Sequence, residues 1–212
     1  MDAGAPKFRR RKADRPEEIV NAALAVFAEK GFAAAKLEDI ARRAGVSKGA
    51  VYLYFETKEE VFRAVVERAI SPNIGMIKAM VAAHPGPLAD LLRGVTGHIA
   101  GVVETTPLGG VIKMVVGEAR NFPEIARVWH DELITHALGA MTAAIEAAQA
   151  RGEVKPGDPR TYALQVISPL LVGVLWRETF VPVGAQPFNL PALLHQHIDT
   201  LLCGMLTEGA RA

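Results

Sequence analysis

Residues 37–58, LEDIARRAGVSKGAVYLYFETK, carry the strongest structural signal in the chain. Their spacing predicts two short helices, over 37–44 and 48–54, that cross steeply. Ala41 places a small side chain where the two helices approach, and Gly45 supplies a turn residue that tolerates a positive φ. Ser47 is in position to cap the second helix. The stretch therefore predicts a helix-turn-helix.

The expected directions of the side chains in this unit indicate a nucleic-acid interface. The residues expected to pack inward are Ile40, Ala44, Val46 and Val51, and those expected to face outward are Lys48, Gly49, Ala50 and Leu53. Small or basic residues at the front of a helix allow it to enter a major groove closely. Tyr52 and Tyr54 can donate hydroxyl groups to phosphates, and Lys58 can add a positive charge there.

The rest of the chain also predicts helices. One helix begins near Pro16, with Asp14 as its predicted cap, and ends at Gly31. Another begins after Thr57, where Glu60 completes a capping box, and Pro72 is expected to kink it. Further helical patterns cover 88–105, 108–121, 123–151, 159–179 and 190–207. Because no alternating strand pattern occurs, the sequence predicts an all-α fold of about nine helices.

The composition is that of a globular protein without a disulfide framework. The chain has 212 residues, of which 50% are hydrophobic and 22% charged, a formal net charge of +1 and a single cysteine. It contains no unbroken run of about 18 apolar residues, so we expect no membrane span. The start of the chain lacks the apolar stretch of a signal peptide, which favours a cytoplasmic protein.

The first residues of the chain are strongly basic, with six cations between Lys7 and Arg15 against Asp2 and Asp14. We expect residues 1–15 to form a basic arm that is disordered in the free protein. Arg9, Arg10 and Arg11 are predicted to contact the minor groove or the phosphates of a nucleic acid. The alternative is a solvated tail that aids solubility.

The pattern G-F-x7-IA-x-x-AGVSKGAVY-x-YF-x-TK-x-E, from Gly31 to Glu60, resembles the N-terminal domain of the TetR family of bacterial repressors. The resemblance extends over roughly residues 16–66. It implies a homodimer in which each chain has a three-helix DNA-binding head, residues 16–60, and a larger helical body, residues 61–212, that binds an inducer. The head residues that it places at the DNA are Ser47, Lys48, Gly49, Tyr52, Tyr54 and Lys58.

One departure from the family pattern precedes the predicted helix over 37–44. Family members usually have Thr, followed by Ser or Thr, at the positions that Ala35 and Lys36 occupy here. The hydroxyl group that would cap the helix and contact a phosphate is therefore missing. Lys36 is expected to restore the phosphate contact as a charge, and Glu38 or Asp39 favours the start of the helix.

The remainder of the sequence contains no catalytic or metal-binding pattern. The six histidines are scattered, and His130 and His136 fall on different faces of one helix. No H-E-x-x-H pair, glycine-rich phosphate loop or G-x-S-x-G elbow occurs. We therefore expect a protein that is not an enzyme and that needs no cofactor or metal.

Large, adaptable side chains in the body predict an effector pocket, mainly because the family resemblance implies one. Methionines fill irregular cavities and accommodate different guests, and a few polar groups orient a ligand. For each single residue the alternative is an ordinary place in the core. The predicted pocket residues are Met80, His98, Met114, Glu118, Phe122, Trp129, His130, Leu133 and Trp176.

The last two long helices predict a dimer interface. The helix over 159–179 is apolar on more than one face and must be buried. Pairing of two such helices from each chain into a four-helix bundle would bury it, whereas the alternative is burial within one chain. The predicted interface residues are Leu164, Ile167, Leu171, Leu175, Leu194, Ile198, Leu201 and Leu202.

These features predict a ligand-responsive transcriptional repressor. It would bind a palindromic operator in double-stranded DNA as a homodimer and leave it when a small, largely apolar effector binds the body. Three alternatives stay open: an activator or dual regulator on the same fold, a ligand-independent DNA-binding protein, and an enzyme whose head is a relic.

Overall fold

The structure is a computed structural model that describes residues 15–211. Its α-helices, in chain order, are α1 (Arg15–Ala34), α2 (Leu37–Ala44), α3 (Lys48–Tyr52), α4 (Lys58–Val65), α5 (Ser71–Ala83), α6 (Leu88–Thr105), α7 (Leu108–Glu118), α8 (Pro123–Trp129), α9 (Thr135–Ala150), α10 (Pro159–Thr179), α11 (Leu190–Met205) and α12 (Glu208–Arg211). Within the described residues the one β pairing is an isolated bridge between Val154 and Leu206. The all-α prediction is confirmed.

Each of the nine helices predicted from the sequence is present. Two of them are interrupted by π-helical turns, Val66–Ile70 between α4 and α5 and His130–Ile134 between α8 and α9. The first interruption explains the break expected at Pro72, because proline lacks an N–H and its ring clashes with the carbonyl group four residues earlier. A widened π turn directly before Pro72 relieves that clash.

Local capping signals in the sequence correspond to hydrogen bonds in the structure. The backbone N–H of Glu60 donates to Thr57 Oγ1 over 3.1 Å, as the capping box predicts. The carboxylate of Glu60 accepts from the N–H of Glu56, one residue before the cap. These two bonds place the start of α4 next to the end of α3.

Gly31 ends the regular part of α1, as predicted, and the chain then makes one more helical turn to Ala34. Its φ of 77° lies in the left-handed region, which a glycine adopts without steric cost. This turn brings the ring of Phe32 back onto the core. Phe32 lies 5.5 Å from Phe27 and 6.0 Å from Phe62, measured between ring centroids.

Helices α1 and α7 pack closely, and this contact joins the head to the body. A Cβ atom added to Gly110 in α7 would lie 2.8 Å from the Cβ and 2.9 Å from the carbonyl oxygen of Ala28 in α1. Only a glycine permits this distance between the two backbones. Phe122, which follows α7, lies 5.1 Å from Phe32 between ring centroids. The head and the body therefore share one hydrophobic core.

Helix α10 is long and apolar, and part of its apolar surface is exposed, at Leu164, Leu171 and Val172. The segment Pro159–Val183 has a mean hydropathy of 1.4 over an 18-residue window, of which 17% is buried. By length and composition alone this segment could cross a membrane, and α6 with α7 qualifies only as a pair bent by 89°. The sequence pattern had indicated no span because polar residues interrupt the apolar run.

Substitution of Gly110 tests the contact between α1 and α7. Gly110→Ala is expected to destabilise the protein by about 1–3 kcal/mol, because the added methyl group overpacks the contact with Ala28. At about 2–4 °C per kcal/mol for a chain of this size, thermal unfolding followed by circular dichroism would detect the change.

Gly117→Ala in the same helix is the matched control. A Cβ at Gly117 meets no atom within 4 Å. Alanine there is expected to leave stability unchanged or to raise it by up to about 1 kcal/mol, because alanine favours helix formation. Equal losses in the two variants would contradict the close packing of α1 on α7.

Candidate nucleic-acid interface

The turn between α2 and α3 has the geometry that the sequence predicts. Gly45 has φ 67° and ψ 28°, in the left-handed region. Its N–H donates to the carbonyl group of Arg42 over 3.3 Å, and the N–H of Val46 donates to that of Ala41 over 3.0 Å. Ala41 is buried between the helices. These contacts fix the angle at which α3 leaves α2.

Helix α3 presents a mixed apolar and polar surface to solvent. Ser47 Oγ accepts a hydrogen bond from the N–H of Ala50 over 3.2 Å and so caps the helix, as predicted. The side chains of Tyr52, Leu53 and Tyr54 are 45%, 80% and 40% exposed. Ala50 does not face outward as expected. It is buried, because one face of so short a helix must pack on the rest of the head.

Lys48 is held at the front of α3 by an acidic neighbour. Its ammonium group forms an ion pair with Glu38 of α2 and lies 5.6 Å from the centre of the Tyr52 ring. The hydrogen bond from Lys48 lowers the pKa of Glu38, and Glu38 in turn raises the pKa of Lys48. Both side chains are largely exposed, so the pair is weak and can be exchanged for other partners.

An open groove of about 450 Å³ adjoins the turn, lined by Arg15 and Glu18 of α1 and by Gly45 and Ser47. Lys36, at the N-cap position of α2, has extended backbone geometry, and its side chain forms no capping bond. The side chain of Lys36 is exposed and forms no hydrogen bond or ion pair within residues 15–211. Arg9, Arg10 and Arg11, the predicted contacts of the arm, lie outside the described residues.

The structure places Lys58 at the junction of head and body. Its Nζ donates to the carbonyl oxygen of Phe32 over 2.5 Å and lies 3.4 Å from that of Ala33. It also lies 4.4 Å from the centre of the Phe32 ring and 5.7 Å from that of Phe122. A phosphate contact of Lys58 stays a prediction, since in this conformation the ammonium group is directed into the protein.

Glu118, predicted as a pocket residue, contacts the same turn from the other side. Its Oε1 accepts from the N–H of Phe32 over 2.9 Å, and its Oε2 accepts from the N–H of Ala33 over 2.7 Å. Together with Lys58, these contacts form what we call the head–body clamp: Glu118 and Lys58 bound to the backbone of Phe32 and Ala33. No local sequence signal indicates it, because the partners are more than 80 residues apart.

Comparison with known proteins agrees with this geometry. Residues 19–65 match the model of the bacterial regulatory proteins of the tetR family, and residues 83–186 match a tetracyclin repressor-like C-terminal domain. The two matches include the helix-turn-helix and most of the body.

The chain belongs to the TetR family.

Several TetR-family relatives are similar over most of their length. The transcriptional repressor BepR of Brucella suis is 28% identical over 169 residues, which are 77% of this chain and 79% of BepR. SmeT of Stenotrophomonas maltophilia, solved with triclosan, has a TM-score of 0.76 and 26% identity, with 92% of this chain and 93% of SmeT covered. SmeT is described as the repressor of a multidrug efflux pump.

A further solved relative shares the fold alone. FadR of Bacillus subtilis, in complex with stearoyl-CoA, has a TM-score of 0.73 at 21% identity and covers 89% of this chain and 98% of its own. Two solved structures that resemble this chain therefore hold small molecules, triclosan in SmeT and stearoyl-CoA in FadR.

The predicted pocket residues of this TetR-family chain do not form one set. Met114, Trp129 and Leu133 are buried in the main core, and Met80 packs against it. His98 is half-buried, and its Nε2 is buried with no hydrogen-bond partner in the described part of the chain.

The other predicted pocket residues lie elsewhere. His130 is exposed and bonds to Asp131. Trp176 donates to the carbonyl oxygen of Gln186 near the end of α10. Glu118 and Phe122 contact the head. Two surface cavities near the head, the groove beside Gly45 and a crevice of about 110 Å³ between α4 and α8, contain no predicted pocket residue.

The predicted dimer residues differ in their exposure: some are exposed or half-buried, and others are buried within the chain. Leu164 and Leu171 of α10 are 57% and 43% exposed, and Ile167, Leu175 and Leu201 are half-buried. The three predicted residues of α11 that are buried within the chain are Leu194, Ile198 and Leu202. They pack against the rest of the same chain, so they are not free to contact a partner. No group of three or more His, Cys, Asp or Glu side chains suited to a metal occurs within residues 15–211.

Alanine at Gly31 tests whether the Glu118 carboxylate occupies the position seen here. Gly31 and Gly152 both have a positive φ, 77° and 76°, but the ψ of 171° at Gly31 lies in a region that is essentially open to glycine alone, so alanine at Gly31 carries backbone strain of about 1–3 kcal/mol of its own. A Cβ at Gly31 would overlap Glu118 Oε1, whereas a Cβ at Gly152 meets nothing within 4 Å.

In a Glu118→Ala background the penalty of Gly31→Ala is therefore expected to fall by about 1–3 kcal/mol, because the strain remains but no carboxylate has to leave its two N–H donors. Thermal denaturation of Gly31→Ala in the wild-type and in the Glu118→Ala background gives the difference. An equal penalty for Gly31→Ala in the two backgrounds would mean that Glu118 is not held against Gly31.

Proposed function

We propose that this TetR-family protein is a transcriptional repressor that binds a palindromic operator as a homodimer and is released by a small, largely apolar effector. The observation that carries the proposal is the exposed surface at α3 and the two residues that follow it, where Tyr52, Leu53 and Tyr54 extend into solvent beside the small Gly49. Large side chains of this kind are costly to expose unless they serve an interface.

The proposed DNA contacts follow from that surface. Gly49 and Leu53 would approach base edges in the major groove, whereas Tyr52 and Tyr54 would bond to phosphates. Ser47 would contact the backbone near the open groove, and Lys36 would supply a charge beside it. Lys48 would exchange the carboxylate of Glu38 for a base or a phosphate, at little cost because the ion pair is exposed.

A dimer is supported by the exposed side of α10. Leu164, Leu171, Val172 and Leu175 recur at helical spacing on one side of the helix, and the first three are more than 40% exposed. An apolar stripe of this length fits a helix bundle formed with a second copy. Two heads related by a twofold axis would then contact two half-sites one helical turn apart or a multiple of it.

An effector in the body is supported by two polar atoms. Ser71 Oγ and His98 Nε2 are buried and lack a hydrogen-bond partner in the described part of the chain. Buried polar atoms are normally satisfied, so a ligand with a hydrogen-bonding group would account for both. The complex of SmeT with triclosan, and the acyl chain of the stearoyl-CoA bound to FadR, support an effector with a large apolar part.

Release requires that the effector bind more tightly to the conformation that does not fit the operator. We place this protein in the cytoplasm, where its DNA is, and assign it no catalytic activity. An activator would share every contact described above, so only the position of the operator relative to a promoter separates the two functions.

Sequencing of sheared genomic DNA captured by the purified protein at physiological salt tests the function. We expect a few sharp peaks over a palindrome, and a thermal-shift screen of apolar molecules that begins with triclosan is expected to give a stabilising ligand. A flat, salt-sensitive background in the capture experiment would contradict sequence-specific regulation.

Substitutions in α3 should separate base contacts from phosphate contacts. Lys48→Ala is expected to lower operator affinity about 5- to 150-fold and random-duplex affinity much less, whereas Tyr52→Phe is expected to weaken both alike. Fluorescence anisotropy on the two duplexes measures this. Lys78→Ala, an exposed lysine of α5, is the control, and equal losses for Lys48→Ala on both duplexes would exclude its base contact.

Charges on the exposed side of α10 should separate the protomers. The double variant Leu164→Asp, Leu171→Asp is expected to be a folded monomer whose operator affinity is about a hundredfold lower or more, because the second head is lost. Light scattering after size exclusion measures the mass. Val116→Asp changes an equally exposed valine of α7 and should stay dimeric, and a dimeric double variant would refute this interface.

A further inference from the structure

We propose that Glu118 is a positioning residue for DNA binding, because its carboxylate, carried by the body, holds the turn that sets the orientation of α2 and α3. The inference rests on the proposed function and adds to it a residue that connects the body to the DNA-binding surface. It follows from four features of the head–body clamp.

The first feature is the pairing of charges with backbone groups. The anion Glu118 accepts from the N–H groups of Phe32 and Ala33, and the cation Lys58 donates to the carbonyl oxygen of Phe32. Hydrogen bonds with a charged partner are about twice as strong as neutral ones. The peptide groups of the last turn of α1, after Gly31, are thus held from both sides by side chains that lie outside the turn.

The second feature is the space that Gly31 leaves. The left-handed φ of Gly31 directs the next two N–H groups toward α7, and Glu118 Oε1 fills the volume that a Cβ would take. Neither the turn nor the carboxylate could keep its place with an ordinary side chain at this position.

The third feature is the place of Glu118 in its helix. It is the last residue of α7, where the helix dipole disfavours a negative charge. A carboxylate is therefore unfavourable for α7 itself. The two N–H groups of Phe32 and Ala33 compensate this cost. The stabilising contacts of Glu118 are therefore made with α1 and not within α7.

The fourth feature is the missing cap of α2. Lys36 provides no side-chain acceptor for the first turn of α2, and no hydroxyl group is available at Ala35. Glu118 instead provides an acceptor to the turn that leads into α2, from the body. The orientation of the helix-turn-helix consequently depends on where α7 ends, so a displacement of α7 changes the fit of the head to DNA.

The test compares Glu118→Ala and the isosteric Glu118→Gln with Glu146→Ala in the full-length protein. The side chain of Glu146 is exposed on α9 and forms no hydrogen bond or ion pair within residues 15–211. Each variant is titrated with the captured operator duplex and with a random duplex over a range of salt concentrations, and amide hydrogen exchange is measured on the protein alone.

Glu118→Ala is expected to lower operator affinity about tenfold, with a smaller loss on the random duplex and an unchanged salt slope, because no phosphate contact is removed. The amides of Phe32 and Ala33 should exchange about tenfold faster or more. Glu118→Gln keeps one acceptor and should fall between Glu118→Ala and the wild type, which covers the case that the alanine variant does not fold.

A folded Glu118→Ala or Glu118→Gln variant whose ratio of operator to random affinity equals that of Glu146→Ala would overturn the role of Glu118. Loss of thermal stability with an unchanged affinity ratio would also overturn it, because it would show a structural role only. A wild-type protein with no preferred duplex would instead overturn the proposed function, so the two failures are distinct.

Discussion

The contact of Gly110 with Ala28 is the constraint on which the relation between head and body depends. It brings the backbones of α1 and α7 together at one point. From there α7 continues for eight residues, about 12 Å at 1.5 Å per residue, to Glu118. Four residues along α1 from Ala28 lies Phe32, so the same two helices meet again at the clamp. Two contacts along one pair of helices fix their relative rotation as well as their distance.

The parts of the fold that depend on neighbouring residues could be predicted from the sequence. The left-handed turn at Gly45, the cap at Ser47 and the capping box at Thr57 each involve partners within five residues, so their chemistry is visible locally. The Glu118 clamp was not predictable, because a carboxylate at a helix end could serve a pocket equally well. Ala50 was expected outside, since in a helix of five residues the spacing alone does not distinguish the two faces.

The neighbours that cover α10 and α11 could not be predicted from the sequence either. Both helices are rich in leucine, and periodicity shows that such helices need burial without showing which neighbour provides it. In the structure Leu194, Ile198 and Leu202 of α11 are buried within the chain. Leu164 and Leu171 of α10 are exposed. The surface that a partner can cover therefore includes only some of the leucines in the pattern, and it lies mainly on α10.

The head shares its core with the body, and this determines which contacts between the two can open. A boundary at residue 60 runs through α4, and Phe62 beyond it packs on Phe27 and Phe32. Exposure of three such rings would cost about 5–9 kcal/mol. The hydrogen bonds of the clamp can be exchanged for water at about 1–3 kcal/mol each. Typical couplings between two binding sites are about 1–3 kcal/mol, enough to break one hydrogen bond of the clamp and too small to separate the rings. An effector would therefore act on the head by loosening the polar contacts of Glu118 while the aromatic core stays closed and serves as the pivot.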